Sequence, residues 1–345
     1  LNASGTIYVS ASKPTTTRRS FFITIIKETI LKNPSLYRGS GFCFGGISMD
    51  EKLEIVVFYV GLGDCIHITL PNDKQILIDT GVKQHFNRIR KKLNAMGKTI
   101  DYLILTHSHV DHVNGALNFI EEFAISNVVW WISEGGQPSQ TNISLKNAVI
   151  RKIRESMQLQ NNENYFKVYS IFQTPPEWST DVAPYLIRLH PIMENQNFDS
   201  NPNKNSIVLA FKFHEDKFHE EIILLMADAT KNEEEKLLAA LNPNNHNLRN
   251  PLAIKIGHHG SNTSTSQNFQ NSFQRNSDRY LICSNKARWK KSPPSEEKLT
   301  ELYNNRDFGS LSLTGMPEED VRYDIHLVFT YNGAEVISRY ERARI

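Results

Sequence analysis

The chain has little to staple it together or to anchor it. Its three cysteines, Cys43, Cys65 and Cys283, include no close pair, which argues against a disulfide framework and a thiolate zinc site and suits a reducing, cytoplasmic setting. Long apolar runs are missing as well: the stretch at residues 21–26 stops at Lys27, well short of the roughly 20 residues of a membrane helix, so no span is expected. Neither sign of charge dominates. With 39 Lys and Arg against 37 Asp and Glu the net charge is +2, so binding to nucleic acid or membrane has to come from local patches.

What is there suffices for one large domain: 345 residues, 39% apolar and 10% aromatic. Residues 1–48 read differently, with a Thr and Arg run at 15–19 and no acidic residue before Glu28. They are expected to be an N-terminal extension, flexible or translated upstream of a start at Met49, in preference to a targeting segment. Residues 49–345 are expected to form the main folded domain. Short apolar runs at 53–59, 65–70, 75–78, 102–105, 128–132, 185–189, 206–213, 221–226, 253–256, 280–284 and 326–330 predict strands, and Pro71-Asn72-Asp73 predicts a hairpin turn. Helical spacing predicts helices at 86–96, 115–123, 145–157, 233–241 and 295–303. Strands with helices among them and no repeat period point to a single α/β domain with layered sheets.

The chemistry concentrates at strand ends. The strand at 103–105 runs into Thr106-His107-Ser108-His109-Val110-Asp111-His112. Imidazole and carboxylate ligands suit zinc, manganese or iron, and their alternation lets His107 and His109 face one ion while Asp111 and His112 turn toward a second. Asp228, closing the run Leu224-Leu225-Met226-Ala227, is placed to bridge two ions about 3.5–4 Å apart. The run Ile254-Lys255-Ile256-Gly257 delivers His258 and His259, which alone would read as a structural pair but beside the first cluster become a ligand and a substrate contact.

Phe58-Tyr59-Val60-Gly61-Leu62-Gly63-Asp64-Cys65, the 76–81 run Ile-Leu-Ile-Asp-Thr-Gly, the histidine cluster, Asn205-Ser206-Ile207-Val208-Leu209, Ala227-Asp228 and His258-His259-Gly260-Ser261 follow one another in this order. In that order they resemble the metallo-β-lactamase superfamily, and within it the hydrolase domain of ComEC-type competence proteins and their stand-alone relatives. The resemblance implies a four-layer αββα sandwich with two divalent ions, Zn or Mn. It assigns His107 and His109 to one ion, Asp111 and His112 to the other, Asp228 to the bridge, and one of the histidine pair to the second ion. His258, first off the strand, is the expected ligand, and Asp111 and His259 are the expected catalytic residues. Asp79 is expected to orient a ligand imidazole, with Asp64 in a similar supporting place. One departure stands out: residues 201–205 lack the further histidine that many members supply to the first ion, leaving Asn203 or Asn205 to offer an amide oxygen.

Two ions lower the pKa of a bridging water from about 15.7 toward 7, so the expected reaction is hydrolysis by a metal-bridging hydroxide. The likeness makes a phosphodiester, and nucleic acid in particular, the expected substrate and partner. Ser261, Thr263, Ser264, Asn205 and Lys286 are the candidate substrate contacts, with basic clusters at 88–92 and 286–291 to track a backbone. A small phosphodiester, lactone or other ester is the alternative substrate, and a non-catalytic subunit of a defence or uptake complex the alternative class.

Overall fold

The computed structural model describes residues 52–107, 109–125, 127–130, 182, 185–190, 201–212, 223–241, 251–287, 292–316, 321–330 and 339–342. The expected helix at 145–157, the loops around it and the leader at 1–48 lie outside the described residues.

Thirteen strands are described: β1 (Lys52–Val57), β2 (Ile66–Thr69), β3 (Gln75–Ile78), β4 (Tyr102–Leu105), β5 (Asn127–Trp130), β6 (Leu186–His190), β7 (Val208–Phe211), β8 (Ile223–Leu225), β9 (Ala253–Lys255), β10 (Tyr280–Cys283), β11 (Ser310–Leu313), β12 (Tyr323–Thr330) and β13 (Arg339–Arg342). They form a seven-stranded sheet in the order β13-β12-β1-β2-β3-β4-β5 and a six-stranded sheet in the order β11-β10-β9-β8-β7-β6. The helices are α1 (Phe86–Ala95), α2 (Val110–Val113), α3 (Ala116–Phe123), α4 (Lys231–Leu241), α5 (Gln267–Asn271) and α6 (Glu296–Asn304). Sequence patterning finds most of these within one to three residues. It misses β11, β13, α5 and α2, the last lying inside the histidine cluster.

The layering follows from strand alternation. Leu53, Ile55 and Val57 of β1, Ile76 and Ile78 of β3, and Ile104 of β4 share one core with Leu209 and Phe211 of β7 and Ile223 and Leu225 of β8. That core fills the space between the sheets. The intervening residues point outward: Val56, Leu77, Leu103 and Leu105 pack with Ile89 and Leu93 of α1 and Ala116, Phe119 and Ile120 of α3. On the other side Val208, Ala210, Leu224 and Ile254 pack with Leu237 of α4, Phe269 of α5 and Leu299 and Leu302 of α6. Helices, sheet, sheet, helices is the expected αββα sandwich. No helix among the described residues is long and apolar enough to cross a membrane.

Strand direction decides where chemistry can collect. β3 and β4 are parallel neighbours, as are β8 and β9, so the loops leaving their C-terminal ends emerge side by side. Asp79, the 107–112 cluster, Asp228 and the 258–259 pair leave those four strands.

Three of the basic residues at 88–92, expected to track a nucleic-acid backbone, are engaged within the fold. Arg88 Nη1 and Lys92 Nζ lie 2.7 and 2.9 Å from Asp324 Oδ2, Arg88 also donates to the Tyr59 carbonyl, and Tyr59 N–H donates to Asp324 Oδ1 at 2.7 Å. Arg90 pairs with Glu122 at 2.9 Å. These cations fasten α1 to β12 and to α3. Asp324 is buried, so removing it takes a shared acceptor from Arg88, Lys92 and the Tyr59 amide. Asp324→Ala is expected to lower unfolding free energy by about 3 kcal/mol, whereas Arg90→Ala, at a half-exposed pair, costs under about 1 kcal/mol. Urea denaturation of both variants checks this.

Glu54 of β1 ties Lys98 and His326 together, each at 2.5 Å. Burial works against its ionisation, but His326 and Lys98 outweigh it and hold the Glu54 pKa down at about 2. A depressed carboxylate stabilises the fold fully above its unfolded pKa, near 4.5, and loses that contribution as pH falls toward 2. The stability gap between the wild type and Glu54→Gln should therefore close between pH 4.5 and 2 in denaturation midpoints. A gap that stays constant across the window would refute the assignment.

Candidate metal centre

Three of the four strand ends contribute a short, conformationally unusual segment. Asp79 (φ 53°), Ala227 (φ 46°), His258 (φ 42°) and His259 (φ 52°) all occupy the left-handed region, which costs a non-glycine residue free energy and persists only where surrounding bonds enforce it. Those bonds are visible: Asp79 N–H donates to Ile104 O at 2.8 Å, and His258 N–H donates to Ala227 O at 3.0 Å. Gly63 makes room for the cluster, since a Cβ there would stand 1.9 Å from the Asp111 carbonyl oxygen.

Asp228 lies at the focus. Its Oδ2 is 3.5 Å from His107 Nε2, while its Oδ1 is 3.4 Å from His112 Nε2 and 3.3 Å from His259 Nε2. His109 Nδ1 lies 3.1 Å from His107 Nε2, and Asp111 Oδ2 lies 3.9 Å from His259 Nε2. The donors thus fall into two sets, His107, His109 and Asp228 on one side and Asp111, His112 and His259 on the other, each with its ligand atoms within 4.8 Å of one another. The two oxygens of one carboxylate face the two sets.

Asp79 holds the arrangement from behind. It is fully buried and accepts from Thr106 N–H at 2.8 Å and Thr106 Oγ1 at 2.6 Å, with His112 Nδ1 at 2.7 Å. A carboxylate on Nδ1 places the proton there and turns the Nε2 lone pair toward Asp228.

The donor chemistry fits divalent cations. His112 Nε2, Asp228 Oδ1 and His259 Nε2 are buried and have no hydrogen-bond partner among the described residues, and they converge on one place. Buried polar atoms left so are costly unless something binds them. Burial keeps His109 neutral, with a pKa of about 4, and pushes His259 down too, so both offer lone pairs near neutrality. Burial likewise opposes charge on His112 and Asp228. The Asp228 and Asp79 carboxylates nonetheless raise His112 well above its usual value, and His259 and His112 hold Asp228 well below its own. Positive charge is favoured at this point of the interior.

The histidine pair is reversed from the expected order. His259, not His258, is buried beside Asp111, His112 and Asp228. His258 turns outward, with Nε2 3.2 Å from Asn203 Nδ2 and Nδ1 2.9 Å from Thr263 Oγ1. The left-handed backbone at both residues redirects the chain, which first-off-the-strand reasoning does not capture. Of the expected substrate contacts, Ser261 and Thr263 remain accessible beside His258 and hydrogen-bond to each other, and Lys286 is exposed, three residues beyond Cys283, whose thiol donates to His259 O at 3.3 Å. Ser264 does not fit that role: it is fully buried and donates to Gly257 O at 2.7 Å. Asn205 is buried as well, and Asn203 is the amide that reaches the site, with its Oδ1 buried and without a hydrogen-bond partner among the described residues. Of the 286–291 cluster, residues 288–291 lie outside the described residues.

Lys255 escaped the sequence reading. It is a fully buried lysine on β9, paired with Asp64 Oδ2 at 2.6 Å. A lone charge between Ile254 and Ile256 in a strand apolar on both faces was the available signal.

Residues 59–147 match the family described as the metallo-β-lactamase superfamily. Among curated proteins none matches. Solved structures similar to the chain include a diphosphatase of the PhnP family, 13% identical over 83% of this chain and 100% of that one, TM-score 0.41. They also include a metallo-β-lactamase from Staphylococcus aureus, 12% identical over 73% and 66%, TM-score 0.37, and a HARLDQ-motif mutant of a metallo-β-lactamase from Cronobacter sakazakii, 18% identical over 59% and 77%, TM-score 0.32.

Asp79→Asn keeps the shape but weakens the acceptor on His112. It is expected to reduce zinc affinity about 10- to 100-fold with the fold intact, measured by competition with a chromophoric chelator. Unchanged affinity would remove Asp79 from the centre.

Proposed function

We propose that the chain is a metal-dependent phosphodiester hydrolase, with nucleic acid as the first substrate class. The observation that supports a two-cation centre is the division of Asp228, one oxygen toward His107 and the other toward His112 and His259. In this reading His107, His109 and Asp228 would hold one divalent cation, and Asp111, His112, His259 and the same Asp228 the other. What such a pair supplies when bound is activation of water near neutral pH and neutralisation of charge on a phosphoryl or acyl oxygen.

The chain's own residues do the rest. Asp79 and Thr106 fix His112, and the strained turn at Ala227 aims Asp228. His258 stands at the rim in one tautomer: its Nδ1–H donates to Thr263 Oγ1, whose hydroxyl in turn donates to Ser261 Oγ, while Nε2 accepts from Asn203. A neutral imidazole there, beside two accessible hydroxyls, suits contact with a phosphate ester and movement of a proton at its leaving oxygen. The role first expected of His259 passes to His258.

A small phosphodiester is the second reading, and one observation favours it: Arg88, Arg90 and Lys92, which were to follow a nucleic-acid backbone, are engaged by Asp324 and Glu122.

With zinc or manganese added, the purified chain is expected to cleave single- or double-stranded DNA, RNA or bis(p-nitrophenyl) phosphate. His109→Ala should lower turnover at least about 100-fold and lose metal. His258→Ala should keep its metal and lower turnover about 10²- to 10⁴-fold. Cleavage of the small diester alone selects the second reading, and hydrolysis of carboxylic esters or lactones without any phosphodiester cleavage overturns both.

A further inference from the structure

We propose that the buried Lys255–Asp64 ion pair is a positioning element of the centre, joining its two halves across the sheets and keeping Asp64 out of the ligand set. The inference rests on the reading of the site as a metal centre.

The two residues belong to opposite halves. Asp64 follows β1 in the first sheet, on the loop that packs against Asp111, whereas Lys255 ends β9 in the second sheet. Asp79, His107, His109, Asp111 and His112 come from the first half, Asp228 and His259 from the second. The Nζ–Oδ2 contact of 2.6 Å therefore ties the two sheets immediately behind the converging ligands. Stability is a weak ground for such a pair. Burying two charges costs several kcal/mol per ion after relaxation, and well-packed apolar residues often serve as well or better.

Lys255 also brackets the residue that aims Asp228. Its Nζ donates to Ala227 O at 3.4 Å, and its backbone carbonyl accepts from Met226 N–H at 3.1 Å. Ala227 is left-handed, and these two bonds, with the one from His258 N–H, hold it there. A relaxed Ala227 would swing Asp228 away from the histidines of the first sheet.

Asp64 makes the second part of the argument. One of its oxygens lies within 4.8 Å of ligand atoms of His112 and Asp228, and its Oδ1 is buried without a hydrogen-bond partner among the described residues. It is close enough to compete as a ligand. The ammonium on Oδ2 holds this carboxylate back and offsets its charge.

The test uses the full chain loaded with cobalt(II), whose visible spectrum reports ligand geometry. Lys255→Met removes the clamp, Asp64→Asn keeps the volume and a hydrogen bond to Lys255 without the charge, and the double variant leaves no buried charge unpaired. Thermal melting selects the folded proteins. The expected result is that the wild type takes up two equivalents, and that Lys255→Met and the double variant bind the second at least about tenfold more weakly with a shifted cobalt spectrum and a lower kcat at unchanged KM. Asp64→Asn, the variant safest for folding, should show the same spectral shift in weaker form. Folded variants with the wild-type spectrum and both equivalents at unchanged affinity would make the pair purely structural and overturn the inference. A wild type that binds no divalent cation would overturn the metal-centre reading first and this inference with it.

Discussion

Everything at the functional edge depends on burying several carboxylates together. Asp64, Asp79 and Asp228 are each nearly inaccessible and surround His112, an arrangement that costs several kcal/mol per ion unless positive charge lies between them. Among the described residues the fold places one fixed cation, Lys255, beside Asp64. For Asp79 and Asp228 it supplies imidazoles, and these two carboxylates draw His112 toward the charged form against its burial. The donor set is thus unbalanced toward negative charge and lone pairs, which is the condition that favours divalent cations over a closed network of hydrogen bonds.

Positioning that set requires backbone that sheets and helices do not provide. The strands carry the chain to one edge and stop, and left-handed residues then turn the ligands inward. The turn at Asp79 is held by its N–H donating to Ile104 O of the adjacent strand, and the turn at Ala227 by the His258 N–H of the neighbouring loop, so local strain is held by contacts with the next segment along the edge. Glycine serves where two backbones approach: Gly257 would meet Ala229 O at 2.5 Å if it carried a Cβ. The centre's geometry is therefore a property of the loop cluster, and the sandwich beneath provides rigid starting points for it.

These features explain what the sequence made legible. Layered sheets with helices among them could be read because short apolar runs alternate with helical spacing. The four-layer sandwich followed instead from the family resemblance: β7 and β8 are apolar at every position, and only the fold sorts their side chains to the central or outer core. His107 to His112 could be read because four donors lie in one short loop, where spacing alone constrains them. The order of His258 and His259 could not, since two consecutive left-handed residues reverse the side-chain direction that an extended exit predicts. Lys255 and Asp64 were missed as a pair because 191 positions separate them. β11, with its alternating serines, and the single turn of α2 carry too little hydrophobic pattern to register.

The same long-range pairing bears on substrate. In the sequence, the basic residues at 88–92 read as a surface available to polyanions; in the structure, Arg88 and Lys92 meet Asp324 some 230 positions away and Arg90 meets Glu122. Counting basic residues along a chain gives an upper limit on the cationic surface, and folding subtracts from it wherever a distant carboxylate returns to the same place. Affinity for nucleic acid grows with the number of phosphates that free cations neutralise, as does its sensitivity to salt. With Arg88, Arg90 and Lys92 engaged internally, a phosphodiester substrate, under the proposed reading, would be met chiefly at the rim of the centre. There His258, Thr263 and Ser261 offer an imidazole and two hydroxyls, a surface matched to one phosphate group and its immediate neighbours more than to a long backbone.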